Sequence, residues 1–285
     1  MAVDAEQPPV ATQITTVIQP SKGWARLDLR ELWRFRELLY FLTWKSILIQ
    51  YKQAVLGVAW AVLNPVLTMI VFTVIFNKFL HIGTGGYPVA YPLFVYAGLL
   101  PWNLFSGSLA SAGTSLVGNA NLITKVYFPR LVIPGSAVLG NVPNFLISFA
   151  VLIVLMVGYR VAPTWNVVFL PLFTLLALVL AMGVSLWLSA LYVLYRDVQY
   201  IIPFLVQIWM YVSFVMVPAS SIPHKWRWLF SLNPMTGVIG GFRWALFGEQ
   251  APNWLFWLSA VMVVVLFMSG LYYFRRMERV FADLV

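Results

Sequence analysis

The side chains that could do chemistry are few in this sequence, and they lie apart. The nine acidic residues are Asp4, Glu6, Asp28, Glu31, Glu37, Asp197, Glu249, Glu278 and Asp283. All lie outside the long apolar tracts, where a membrane hydrolase would need paired carboxylates or a Ser/His set and where an ion-coupled transporter would carry ionisable groups. His81 and His224 are far apart in sequence and do not suggest a metal site. We therefore predict no catalytic residue and no metal ligand.

The sequence also contains no phosphate-binding loop of the GxxxxGK[ST] type. The chain thus shows no energy source and no cofactor site of its own. Any directional work would draw its energy from another chain.

The elements that could position such residues are helices in a membrane. The 285-residue chain is 61% hydrophobic and only 9% charged, with a mean hydropathy of +0.86. Soluble domains contain about 25% charged residues and would expose sticky patches at this composition. The sequence predicts an all-α, multi-pass integral membrane protein. The net charge of +9 is not presented by a recognisable soluble domain, so nucleic-acid binding is not expected. The absence of cysteine excludes disulfides.

Six apolar tracts are long enough to be considered as spans, since about 20 residues cross the hydrocarbon layer. They cover residues 55–76, 89–112, 131–158, 166–191, 200–217 and 254–274. A seventh apolar piece, 234–247, has 14 residues and contains Arg243, which favours a re-entrant helix. With six crossings the 18 basic residues divide 13 to 5 between the two sides. Basic residues gather in cytoplasmic loops, so both termini are predicted to be cytoplasmic.

The remaining organisation follows from these spans. We predict a flexible cytoplasmic tail at 1–23, an amphipathic interfacial helix at 24–54, and a six-span domain at 55–274. Arg26, Arg30 and Arg34 form a basic row in the interfacial helix, which suits a membrane surface. Re-entrant helices are expected at 218–250, before the last span, and a second cytoplasmic tail at 275–285.

The stretch NANLITKVYFPR at 119–130 interrupts the apolar tracts on the cytoplasmic side. Its mixture of apolar and basic residues predicts a short helix that contacts a partner. Leu122, Ile123 and Val126 are spaced as an apolar ridge, and Tyr127 and Phe128 are large enough to anchor an interface.

Four blocks of sequence carry a resemblance to a known family. They are ILIQYKQAVLGVAWAVLNPVLTMIVF (47–72), LITKVYFPRLVIP (122–134), YRDVQYIIPFLVQIWMYVSF (195–214) and NPMTGVIGGFRWALFG (233–248). In this order they resemble the permeases of polysaccharide and polyol-phosphate ABC exporters, of the O-antigen export type.

The resemblance implies a homodimer of permease subunits in the bacterial inner membrane, bound to two ATP-binding subunits that carry ATP and Mg²⁺. The substrate would be a lipid-linked glycan, in contact with membrane lipids. A coupling helix would lie within 115–130. The residues implied in coupling are Asn121, Leu122, Ile123, Lys125, Val126, Tyr127, Phe128 and Arg130.

The resemblance also implies a channel lined by the first and fifth spans. Flat aromatic faces suit a sugar ring, which has one apolar face and a rim of hydroxyls. Aromatic side chains also concentrate at membrane interfaces. The candidates for the translocation path are Phe72, Phe76, Trp209, Tyr211 and Phe214.

Alternatives remain open at this point. The chain could serve a capsule or teichoic-acid exporter, or be the permease of a drug or lipid ABC exporter. A membrane scaffold is the alternative outside transport.

Overall fold

The computed structural model describes residues 33–52, 57–221, 223–248, 254–278 and 281. This part of the chain is helical and contains no strand. The helices are α1 (Arg36–Lys52), α2 (Gly57–Phe72), α3 (Tyr91–Gly113), α4 (Ser115–Gly118), α5 (Ala120–Lys125), α6 (Val132–Leu139), α7 (Val142–Gly158), α8 (Leu170–Leu194), α9 (Val198–Val212), α10 (His224–Ser231), α11 (Pro234–Phe247) and α12 (Trp254–Met277). A π-helical turn, Thr73–Phe79, continues α2, and a 3₁₀ turn, Trp165–Phe169, leads into α8. The prediction of an all-helical membrane protein is confirmed.

Five helical segments are long and apolar enough to cross a membrane. They are Val58–Phe79, Tyr91–Gly113, Val132–Gly158, Trp165–Leu194 and Phe256–Met277. The predicted span at 200–217 is shorter than expected, because α9 ends at Val212 and has 15 residues. At 1.5 Å per residue such a helix covers about 22 Å, against about 30 Å of hydrocarbon. The structure therefore supports five full-length spans and one short apolar helix.

Helix α3 forms the centre of the fold. Phe94, Tyr96 and Phe105 on this helix are fully buried, and they belong to the main hydrophobic core with residues from α7, α8 and α11. Helix α2 lies at the periphery, with large apolar side chains such as Leu67 and Val71 half exposed. The second span, α3, is therefore central in the fold, and the first span, which contains α2, is peripheral.

Helices α8 and α12 approach each other at two glycines. A Cβ atom at Gly270 would lie 2.1 Å from the carbonyl oxygen of Gly183, and one at Gly183 would lie 2.6 Å from the Cα of Phe267. The indole of Trp187 stacks on Tyr273 at 4.1 Å between ring centroids and donates to the Ser269 hydroxyl at 3.2 Å. Small residues permit this close packing, which lipid-embedded helices use in place of a hydrophobic driving force.

The proline inside α2 removes a backbone donor, and the fold replaces it. Pro65 has no N–H to offer the carbonyl of Ala61, four residues earlier. The hydroxyl of Ser148, on α7, donates to that carbonyl at 3.2 Å. A polar residue on one span thus satisfies the backbone of another.

The predicted peripheral segments have mixed outcomes. The tail at 1–23 and the first part of the interfacial helix, with Arg26 and Arg30, lie outside the described residues. Helix α1 begins at Arg36; its Leu42 is buried against the protein, and Tyr40, Phe41 and Trp44 are exposed. The region 218–250 contains the two short helices α10 and α11, whose re-entrant character stays a prediction. The predicted tail at 275–285 begins inside α12, and Phe281 is fully buried, so this end is not wholly a free tail.

Candidate coupling and translocation sites

The segment predicted to couple the chain to a partner rests on a separate hydrophobic cluster, which we call the second core. It contains Leu42 of α1, Leu186 of α8 and Phe274 of α12, together with Ile123 and Phe128 from the segment itself. Ile123 and Phe128 are 7% and 5% exposed. Both side chains therefore root the segment in its own subunit, which corrects the interpretation of them as partner contacts.

Other members of the predicted set point outward. Tyr127 is 74% exposed and Val126 is 52% exposed. Asn121 and Lys125 are also exposed, whereas Leu122 is half-buried against the second core. The surface free to contact a partner is thus formed by Asn121, Lys125, Val126 and Tyr127.

The local backbone explains why the predicted ridge divides. Helix α5 ends at Lys125, and Val126 is extended, with φ −133° and ψ 135°. The i, i+4 relation between Leu122 and Val126 holds only while a helix continues. Because the chain extends at Val126, the next residues alternate, and Tyr127 and Phe128 take opposite sides.

Arg130 ties the segment to the end of α12. Its backbone N–H donates to the Glu278 carboxylate at 3.2 Å, and its guanidinium donates to the Glu278 carbonyl oxygen. The guanidinium also lies 5.9 Å from the ring centroid of Phe281. Glu278 in turn accepts from Arg275 at 3.0 Å. Arg130 is therefore an internal link between the coupling segment and the last span.

The predicted translocation residues fall into separate contacts. Phe72 and Phe76 are half-buried and meet edge to face, with ring centroids 5.9 Å apart. Trp209 donates from its indole nitrogen to Asn233 at 2.8 Å and meets Phe105 edge to face at 5.0 Å. Within the described residues no ring contact joins the α2 pair to Trp209. Trp209 is half-buried and is held against the core by these partners, which favours a structural role.

Helix α9 instead exposes a different stripe. Tyr200, Phe204 and Tyr211 are 73%, 65% and 55% exposed, and Gln207 between them is exposed as well. Positions 200, 204, 207 and 211 recur at i, i+4, i+7 and i+11, so they share one face of the helix. Of these residues only Tyr211 was a predicted candidate. Tyr200, Phe204 and Gln207 could have been identified from their helical spacing, which is not apparent when aromatic residues are considered one at a time.

Phe214 follows α9 in an unusual backbone conformation. Its φ is +55°, in the left-handed region that a bulky residue rarely adopts. Its ring is engaged by Phe230 at 4.8 Å, and its carbonyl oxygen accepts from Arg243. The predicted path residue Phe214 is thus tied to the packing of α10 and α11.

Arg243 on α11 is buried without any acidic partner among the described residues. Its guanidinium donates to the carbonyl oxygens of Phe94 at 3.1 Å, Phe214 at 3.0 Å and Val215 at 2.6 Å. It also lies 3.6 Å from the centroid of the Phe94 ring. Gly98 makes room for it, because a Cβ there would lie 2.6 Å from a guanidinium nitrogen. The charge in this short apolar helix is therefore satisfied by neutral backbone acceptors inside the protein.

The fold and these contacts define a multi-pass, all-helical membrane protein with a short segment available to a partner. In the described part, no group of three or more His, Cys, Asp or Glu residues could hold a metal ion. The model of the ABC-2 type transporter family matches residues 37–247. The chain belongs to this family of transporter permeases, which confirms the resemblance seen in the four sequence blocks.

Curated relatives match this chain over most of its length. The chain is 32% identical over 254 residues to the O-antigen export system permease protein RfbA of Myxococcus xanthus, which is 88% of this chain and 96% of the relative. It is 29% identical to a protein of the same name from Klebsiella pneumoniae, over 87% of this chain and 95% of the relative. It is also 27% identical to the polysialic acid transport protein KpsM of Escherichia coli, over 65% of this chain and 71% of the relative.

Proposed function

We propose that this chain is the permease subunit of an ABC transporter that exports a lipid-linked, O-antigen-like polysaccharide across the bacterial inner membrane. The observation that carries the proposal is the near full-length similarity to permeases named for O-antigen export. The exposed aromatic stripe on α9 supports it, since Tyr and Phe faces can pass sugar rings along without one tight site.

The permease works as a homodimer with two ATP-binding subunits, and ATP and Mg²⁺ are bound on those subunits. Tyr127 and Val126 contact the ATPase, and the second core transmits the displacement. This division is supported by the burial of Ile123 and Phe128 against residues of α8 and α12, because a push on a packed core moves the helices that form it. Six crossings, with the short α9 as the fifth, place both termini in the cytoplasm. The stripe Tyr200, Phe204 and Tyr211 faces the glycan path together with α2.

A gene deletion tests this function directly. Cells that lack the chain should lose surface polysaccharide and accumulate the lipid-linked glycan inside, and a plasmid copy should restore export. The purified chain should hydrolyse ATP only after a nucleotide-binding subunit is added. Unchanged surface polysaccharide in the deletion strain would refute the proposal.

A capsule polysaccharide is the second candidate substrate, favoured by the similarity to KpsM. Composition analysis of the glycan that accumulates in the deletion strain separates the two candidates. A match to the composition of the cell's O-chain would support the first candidate, and a match to its capsule would support the second.

A further inference from the structure

A polar cavity lies between spans that are otherwise apolar. It has a volume of about 280 Å³ and is formed by α2, α3 and α7, with Gln50 of α1 at its edge. The side chains of Asn64, Asn103 and Asn144 line it, and Trp60 lies one turn before Asn64. The complete lining contains no acidic or basic side chain.

These amides lie well inside the spans. Asn103 and Asn144 are each the thirteenth residue of their segments, Tyr91–Gly113 and Val132–Gly158, and so lie near the middle of both. Polar backbone or side chains at such depth are tolerated when they are buried in protein or line a water-filled cavity. Their position separates them from the polar residues that normally mark the ends of spans.

The protein satisfies part of this polar surface and leaves part of it open. Asn141 at the cavity wall donates to the Ser111 hydroxyl at 2.8 Å and to the Ala137 carbonyl at 2.9 Å. The Asn144 carbonyl oxygen accepts from the Tyr51 hydroxyl, whose pKa is raised by burial, so the hydroxyl keeps its proton. Its amide NH₂ makes no hydrogen bond to the described residues.

Asn64 and Asn103 are more open still. Within the described part of the chain, neither side chain makes a hydrogen bond, and both remain accessible at the cavity. Three amide groups therefore present donors, and two of them also present acceptors, to one half-open cavity.

The chemistry of this lining selects a class of ligand. Amides both donate and accept, which matches hydroxyl groups, whereas a phosphate calls for Arg or Lys. Trp60 is 56% exposed and offers a flat apolar surface beside the amides. The volume is close to the lower end of small-molecule sites, about 300–1,000 Å³, which suits one ring rather than a chain.

We propose that this cavity binds one neutral sugar residue of the exported glycan, with hydrogen bonds from Asn64, Asn103 and Asn144. The site rests on the proposed function, and it adds a defined saccharide subsite to a path that is otherwise lined by aromatic surfaces. Removing one neutral hydrogen bond should weaken sugar binding about fivefold.

The natural absence of cysteine makes the site open to a direct test. Asn103→Cys is introduced in the full transporter, with its ATPase subunit, in membrane vesicles and treated with a water-soluble maleimide. Val154→Cys, on the exposed side of α7 and outside the cavity lining, is the control. The cysteine at 103 should react and the cysteine at 154 should not. Methyl glycosides of the sugars found in the exported glycan should slow labelling at 103 increasingly as their concentration rises above their Kd, and inorganic pyrophosphate should not.

Export provides a second, independent readout. Asn64→Leu and Asn103→Leu should each slow glycan export, with Asn103→Ser as a milder variant should the leucine fail to accumulate. Thr174→Val is the matched control, because its hydroxyl bonds back to the carbonyl of Leu170 on the same helix, α8, and lies outside the cavity lining. It should export at the wild-type rate.

Three results would overturn the sugar site. They are the absence of labelling at 103, slowing by pyrophosphate instead of by glycosides, and wild-type export by both folded leucine variants. Failure of the proposed function has a different signature, since the deletion strain would then keep its surface polysaccharide whatever residue stands at 103.

Discussion

Replacing Gly270 by Ala should weaken the contact between α8 and α12. The added Cβ would lie 2.1 Å from the Gly183 carbonyl oxygen and 3.0 Å from the indole of Trp187. Because a carbon–oxygen contact needs about 3.3 Å, the two helices must separate locally by roughly 1 Å. The obstacle is backbone, so no side-chain rotation can relieve it.

The size of the effect follows from three contributions. Overpacking of this kind costs about 1–3 kcal/mol. Separation also strains the 3.2 Å hydrogen bond from Trp187 to Ser269, which contributes about 1 kcal/mol. Alanine favours the helical backbone over glycine by about 1 kcal/mol, which offsets part of the loss. We expect a net loss in folding free energy of about 1–3 kcal/mol.

The assay compares heat resistance in detergent, measured as the fraction of protein that remains monodisperse after heating. Gly240→Ala is the matched control, because Gly240 is also helical and a Cβ there meets nothing within 4 Å. That variant should be as resistant as the wild type or slightly more so. The packing argument is refuted if Gly270→Ala is as resistant as the wild type, or if Gly240→Ala is equally impaired.

The remaining predictions concern the coupling segment, the buried arginine and the aromatic stripe. Tyr127→Asp should abolish co-purification of the ATPase subunit while the chain still accumulates, because the ring is exposed. Ile123→Asp should lower accumulation itself, because it places an unpaired charge in the second core. Arg243→Met should lower the free energy of unfolding by a net of about 1–3 kcal/mol and so reduce heat resistance. The loss of donors to non-helical carbonyls outweighs the removal of a buried charge. Phe204→Leu should slow glycan export in a stable protein, whereas Trp209→Leu should destabilise the protein through the loss of its hydrogen bond.

Each of these has a clear contrary result. Equal accumulation of the two aspartate variants, together with retained ATPase in both, would mean that the segment is a solvated loop. An Arg243→Met protein as heat resistant as the wild type would show that its acceptors find other donors. Wild-type export by the Phe204 variant would assign that face of α9 to lipid.

The main features of the fold could be predicted from composition and tract length. Each of the five full-length spans coincides with a predicted apolar tract of 20 residues or more, although the helix of the first span runs past the predicted end at 76 and stops at Phe79. The fifth tract was less predictable, because apolar composition continues to Val217 while the helix ends at Val212. The left-handed Phe214 that follows depends on Arg243, 29 residues later in the sequence. Local composition carries no information about such a contact.

The candidate site was harder to predict for the same reason. The apolar ridge in 119–130 assumed one continuous helix, but the chain extends at Val126 and turns Phe128 inward. Trp209 was predicted as a path residue because its hydrogen-bond partner, Asn233, lies 24 positions away in the sequence and cannot be inferred from the local pattern.

The cavity amides were visible in the sequence as polar residues within apolar tracts. A search restricted to ionisable groups passes over Asn103 and Asn144, although an amide at that depth also requires a partner.

The surroundings of Arg243 bear on how the protein is made. Its three acceptors, on Phe94, Phe214 and Val215, all precede it in the chain, so they have left the ribosome before Arg243 is inserted. The arginine can therefore meet carbonyl acceptors that are already in the membrane and need not face lipid alone. Order of synthesis is therefore part of what makes a charged residue acceptable in this helix. A circularly permuted chain that begins at α10 would insert Arg243 before any of its acceptors, and it should be degraded or misinserted far more often than the natural order.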